Sequence, residues 1–162
     1  MVQGNMIKGR IAETIVRCLF EDLGFEVIPY GYENTCPTLV NRDKLIVGDV
    51  RNHIRKAPDF IVVDKEDNAN FVEVKFRADG NYKRDADYPF RDCYIILLTK
   101  EYIGIEQYKN LYDEASLTGL NFMAPTMGTF GSLPDSPIFK ECDLNVVRDY
   151  RKLLIKYMGD EV

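Results

Sequence analysis

"APDFIVVDKEDNANFVEVKF", residues 57–76, decides how the chain folds. Two apolar runs, "DFIVVD" and "FVEVKF", are rich in Val, Ile and Phe and flank the polar "KEDNAN". That pattern predicts two strands joined as a hairpin. Its charges are out of place. Asp59 opens the first run, and Glu73 and Lys75 interrupt the second, although an ionised group in a half-buried strand is costly unless paired or coordinated. Alternation puts Glu73 and Lys75 on one face and Val72, Val74 and Phe76 on the other. Pro58 cannot donate a ladder hydrogen bond and so suits the start of a strand or an edge.

Folding about "KEDNAN" brings the start of the first strand beside the end of the second, where Asp59 can meet Glu73 and Lys75. Two carboxylates so placed repel each other, and a hard divalent cation, Mg2+ or Mn2+, is the natural remedy. The backbone carbonyl of Val74 is a further candidate ligand. Lys75 cannot bind a cation, but it can activate or orient an attacking water.

Upstream, "IKGRIAETIVRCLFEDL" (7–23) sets Ile11, Ala12, Ile15, Val16, Leu19 and Leu23 on one helical stripe, with Gly24 as a stop. Glu13 lies at the margin of that stripe, roughly 100° from its centre. From there it can reach over a sheet edge toward a metal, often through water, and Gly9 is expected to let the helix approach the sheet closely. "FEVIPYG" reads as a short strand, and residues 31–50 as a mixed loop ending in "KLIVGDV", a candidate strand. "CYIILLTK" (93–100) is near-continuously apolar and reads as a central strand.

"IEQYKNLYDEA" (105–115) has helical spacing. Residues 118–140 mix Gly, Pro and Ser with Phe122, Met123, Met127, Phe130 and Leu133. They are expected to form a packed irregular insertion or a contact with another subunit. "DLNVVRDYRKLLIKYMG" (143–159) reads as a C-terminal amphipathic helix with Asp143 as N-cap. Val146, Val147, Tyr150, Leu153, Leu154 and Tyr157 are placed on its inner side. The expectation is one α/β domain over residues 1–162, a central mixed β-sheet flanked by helices in the order helix, strand, hairpin, strand, helix.

Composition narrows the chemistry. No run approaches the roughly 18 apolar residues of a membrane span, and "MVQGNMIKGR" lacks a signal-peptide core. A cytoplasmic protein without membrane contact is expected. Four scattered cysteines and one histidine, His53, exclude an ordinary zinc site and offer no disulfide framework. Any metal would be held by oxygen, and no organic cofactor is expected. His53 reads as a surface strand or loop residue.

A net charge of −5 argues against an indiscriminate nucleic-acid coat. Residues 51–91, with 9 basic against 8 acidic side chains, are nonetheless the least acidic part. Arg51, Arg55, Lys56, Arg77, Lys83, Arg84 and Arg91 flank the hairpin and as a group could neutralise phosphates. Tyr82, Tyr88 and Phe90 are candidates either to stack on bases or to pack a loop.

The pattern Pro58-Asp59, thirteen intervening residues, then Glu73-Val74-Lys75, resembles the signature of PD-(D/E)XK nucleases. The upstream "GRIAETIVRCLFEDLGFEV" resembles their first helix and strand, with Glu13 matching the helical glutamate of the Holliday-junction-resolvase-like branch. The resemblance covers about residues 7–100. It implies a restriction-endonuclease-like core and Mg2+-dependent hydrolysis of phosphodiester bonds, with DNA the expected substrate. Asp59 and Glu73 would bind the metal, Glu13 would assist through water, and Lys75 would serve the attacking water. Many members place a full helix between that lysine and the next strand, whereas "RADGNYKRDADYPFRD" is short and polar. A catalytically inactive module of the same fold, binding nucleic acid or mediating assembly, is the alternative. A homodimer is left open, since two cuts in a duplex are most simply made by one.

Overall fold

The hairpin forms where the sequence places it. The computed structural model describes residues 2–40, 47–83, 85, 87–111, 130–140 and 142–159. In chain order its strands are β1 (Glu26–Pro29), β2 (Phe60–Val63), β3 (Ala69–Phe76), β4 (Tyr94–Leu98), β5 (Ile103–Gln107) and β6 (Gly131–Ser132). β2 and β3 pair antiparallel with Phe60 opposite Val72 and Val63 opposite Ala69. Asp64 shapes the turn: its Oδ1 accepts the backbone N–H of Glu66 and of Asn68, each at 2.9 Å. Asp67 takes φ 62°, a left-handed conformation that Asp tolerates better than most residues.

Among the described residues the strands form one six-stranded mixed sheet whose spatial order follows the chain, β1-β2-β3-β4-β5-β6. Only β3 and β4 are parallel, with Lys75 opposite Leu97. A parallel pair needs a long crossover, usually a helix. Here its described part is irregular, as the polar composition of residues 77–92 implied. Tyr82, Tyr88 and Cys93 from this crossover bury themselves against Ile95, Leu97, Tyr108, Leu111 and Phe130 on one face of the sheet. The two tyrosines therefore pack a loop.

The other face is covered by helix α1 (Val2–Asp22). Ala12, Val16, Leu19 and Phe20 are fully buried in the same cluster as Val62, Val72 and Val74. Gly24, at φ +87°, ends the helix. Phe25 N–H reaches Phe20 C=O and Gly24 N–H reaches Glu21 C=O, both at 3.0 Å. These are the paired bonds of a Schellman motif, and the Phe20 and Phe25 rings meet edge-on at 5.3 Å to complete its apolar contact. Gly9 has open space where a Cβ would stand, so the helix does not need glycine there to approach the sheet.

Helix α5 (Leu144–Met158) lies against α1, capped by Asp143, whose carboxylate accepts the Asn145 N–H at 2.9 Å. Leu154 and Met158 are fully buried, with Val146, Val147 and Tyr150 packed beside them. Leu153 and Tyr157, expected inside, are exposed. On a helix they point about 120° and about 80° away from the Leu154–Met158 line that faces α1.

Three further expectations are corrected. The helix expected over 105–115 is strand β5 followed by a 3-10 turn, Tyr108–Leu111, with residues 112–115 outside the described set. A Cβ on Gly104 would stand 2.7 Å from Cβ of Phe130, so the close approach of that neighbouring segment needs glycine in this strand. The loop over 31–50 contains short helices α2 (Tyr32–Thr35), α3 (Pro37–Val40) and the start of α4 (Asp49–Arg55), and the candidate strand at its end is not formed at Val47–Val50. Residues 118–129 of the expected insertion lie outside the described residues, while 130–140 hold β6 and two 3-10 turns with Phe130 and Leu133 buried. His53 is exposed but helical, its ring 4.9 Å from that of Phe90. Among the described residues no helix is long and apolar enough to cross a membrane.

Candidate active site

Asp59 sits one residue before β2, held by backbone bonds on both sides. Its C=O accepts the N–H of Tyr30 at 2.9 Å and of Gly31 at 3.3 Å, tying it to the end of β1. Its Oδ2 accepts the Val74 N–H at 2.7 Å. β2 begins only at Phe60, so the carboxylate takes the ladder position that a strand backbone would otherwise fill. A strand residue's N–H and C=O leave the same edge, so the Val74 carbonyl faces the same gap.

Glu73 and Lys75 share the face opposite Val72 and Val74, and the Lys75 ammonium donates directly to Glu73 Oε1. Glu73 is the one charged residue in the buried set of described residues. The buried phenols of Tyr82 and Tyr88 lie near enough to feel its charge.

Electrostatics mark the cluster as strained by like charge. Burial, then the Glu73 charge, pushes Asp59 up to about 7, although the Val74 N–H and Lys75 pull the other way. Glu73 is also raised, by burial, against the opposing pull of Lys75. Burial would lower the Lys75 ammonium, but Glu73 and then Asp59 more than offset this and leave it above its ordinary value. Glu13 is raised to about 7 by burial and then by the charges of Asp59 and Glu33. One ammonium faces more carboxylate charge than it can neutralise.

Glu33, on α2, is the member that sequence reading missed. Its charge raises both Glu13 and Asp59. A four-residue helix gives no periodicity from which to place a side chain, so no signal in the sequence could have found it.

The donors suit a hard divalent cation: two carboxylates, a strand carbonyl and nearby carboxylates are all oxygen, and negative charge is in surplus. Among the described residues no three His, Cys, Asp or Glu side chains are gathered into a ready metal centre. Asp59 nonetheless feels the charge of Glu73, and Glu73 that of Glu13.

The basic residues are more dispersed than their sequence suggests. Lys56 pairs with Asp85 at 2.8 Å and reaches the Asp87 carbonyl at 3.4 Å, so it braces the crossover. Arg77 donates to the Phe76 carbonyl at 2.8 Å. Arg55, Lys83 and Arg91 are exposed, Arg51 is half-buried in α4, and Arg84 lies outside the described residues. No protein-family model matches the chain, and no curated protein matches it.

Proposed function

We propose that the protein is a metal-dependent nuclease of the PD-(D/E)XK type, built on a restriction-endonuclease-like core and hydrolysing phosphodiester bonds in DNA. The carrying observation is the hairpin end, where Asp59 and Glu73 converge with excess negative charge and Lys75 stands on Glu73. The sheet supports this reading: a helix bearing Glu13, an antiparallel β1-β2-β3 meander, then a parallel β4.

Asp59, Glu73 and the Val74 carbonyl would hold Mg2+ or Mn2+, with Glu13 acting through water. Such a cation supplies Lewis-acid stabilisation of charge developing on a phosphoryl oxygen. The chain's own residues do the rest. Backbone bonds from Tyr30, Gly31 and Val74 fix Asp59, so no reorientation is needed when ligand arrives. Lys75 holds three N–H donors in the site and can orient a water or offset charge on the scissile phosphate. The buried phenols of Tyr82 and Tyr88, near enough to feel the Glu73 charge, would limit water on that side.

The Lys75–Glu73 ion pair favours one second reading, a module that binds nucleic acid without cutting it. Incubating supercoiled, linear, single-stranded and branched DNA with Mg2+, Mn2+ or chelator separates the two. Metal-dependent cleavage that disappears in Glu73→Gln is expected. Binding without cleavage on every substrate would refute the nuclease.

A further inference from the structure

We propose that the outer face of α5 is a docking surface for the phosphate backbone of the DNA on which the site acts, an inference that rests on the nuclease reading. The helix carries four basic residues, Arg148, Arg151, Lys152 and Lys156, against Asp149 alone, a net of +3 in a chain whose net charge is −5. All four are exposed. Arg148, Lys152 and Lys156 stand four residues apart, so they form one row opposite the buried Leu154–Met158 line, rising about 6 Å per step. A row of about 12 Å faces several phosphates, because duplex DNA carries one negative charge per roughly 1.7 Å of axis.

Position supports the assignment. Arg151 donates through Nε to the Glu101 carbonyl at 2.9 Å, which fixes α5 to the segment after β4. β4 runs parallel to β3, with Leu98 opposite Phe76, so this is the end of the sheet that carries Lys75. Lys8 of α1 lies at that end too, 5.9 Å above the Phe76 ring. The opposite end, at the β2–β3 turn, holds Asp64, Glu66 and Asp67. That turn also carries Lys65, and α5 starts beside it, where Asp143 and Val146 line a cavity with Asp64, Lys65 and Glu66, before Arg151 ties the helix to the Glu101 end.

The sequence had pointed instead to residues 51–91, where Lys56 is committed to Asp85. On α5 the ties are looser. Lys152 meets Asp149 at 3.1 Å with both side chains about 70% exposed, and Arg148 reaches Asn145 Oδ1 at 3.5 Å. Such contacts exchange readily for a phosphate. Asp160 and Glu161, which follow the helix, lie outside the described residues.

The test is the salt dependence of binding to a fluorescently labelled duplex in chelator, using the full chain and a variant with Arg148→Gln, Lys152→Gln and Lys156→Gln. Each lost phosphate contact removes about 0.9 from the slope of log K against log salt, so the slope should flatten by about 2.7. Arg148→Lys with Lys152→Arg and Lys156→Arg should keep the parental slope. Arg151 stays, since it anchors the helix. An unchanged slope in the glutamine variant overturns the proposal. So does failure of the parent to bind duplex, or a parental dimer that the glutamine substitutions dissolve, which would make the face a contact between copies. Cleavage with Mn2+ is scored separately. A flattened slope without cleavage by the parent leaves the docking surface standing and removes the nuclease. Parental cleavage with an unchanged slope does the reverse.

Discussion

Replacing Asp59 with asparagine should stabilise the protein at pH 8 while removing its response to metal. Burial and the Glu73 charge hold Asp59 at about 7, against an ordinary 3.8. Between about pH 4 and 7 the folded state therefore keeps a proton that the unfolded chain has released. Stability falls as pH rises through that window, and above it the stabilising protonation is gone. At about 1.4 kcal/mol per pH unit, holding Asp59 ionised costs on the order of 4 kcal/mol. Asparagine keeps an oxygen to accept the Val74 N–H, a 2.7 Å bond in the parent. It also brings amide N–H groups, and leaving one unmet returns about 1–3 kcal/mol. The net gain is about 2 kcal/mol, or roughly 4–8 °C in melting temperature for a chain of this size. At pH 5 the parental carboxyl is already protonated and the gain should vanish. Thermal melts at both pH values in chelator, then with Mn2+, provide the assay. Mn2+ should raise the parent at pH 8 and leave the variant unmoved. An asparagine variant that melts well below the parent at pH 8 would show that the carboxylate is a structural partner and refute the reasoning.

Lys75→Met keeps the apolar stem and removes the amine that contacts Glu73; single-turnover cleavage should fall about 10²- to 10³-fold, roughly 3–4 kcal/mol of transition-state stabilisation. A parental rate would end its catalytic assignment. Gly24→Ala puts a Cβ at φ +87° and 3.3 Å from Lys65 Cε; forcing an L residue into that left-handed cap should cost about 1 kcal/mol, a drop of roughly 2–4 °C by calorimetry.

The hairpin was legible because a two-residue period and a polar turn leave one register that buries the apolar side chains. That register alone sets Asp59 beside Val74 and near Glu73 and Lys75. Glu13 followed from its place at the edge of the α1 stripe. β5 was hidden by overlap of patterns. Ile105, Tyr108 and Leu111 sit at helical spacing, and only pairing with β4 makes Ile103 and Ile105 a buried strand. Leu153 and Tyr157 were misplaced because α5 carries apolar residues on more than one side, and the position of α1 decides which are covered. The engagement of Lys56 by Asp85 depends on the irregular path of the crossover, which no local pattern encodes.

The strand order bears on how the chain reaches this state. Every strand neighbours its successor in sequence, so sheet pairing proceeds by closing successive loops, and loop-closure entropy grows only slowly with length. The junction of α1 with α5 is different: Tyr150 bonds Asp22 across 128 positions. Contacts that join distant parts of a chain tend to form late, after the local ones have offset their ordering entropy. The α1–α5 seam is therefore expected to close after the transition state. Weakening it, for instance at Leu154, would speed unfolding and leave the folding rate nearly unchanged. Glu13 rides on α1, so the seam that closes last also governs how long the finished site persists.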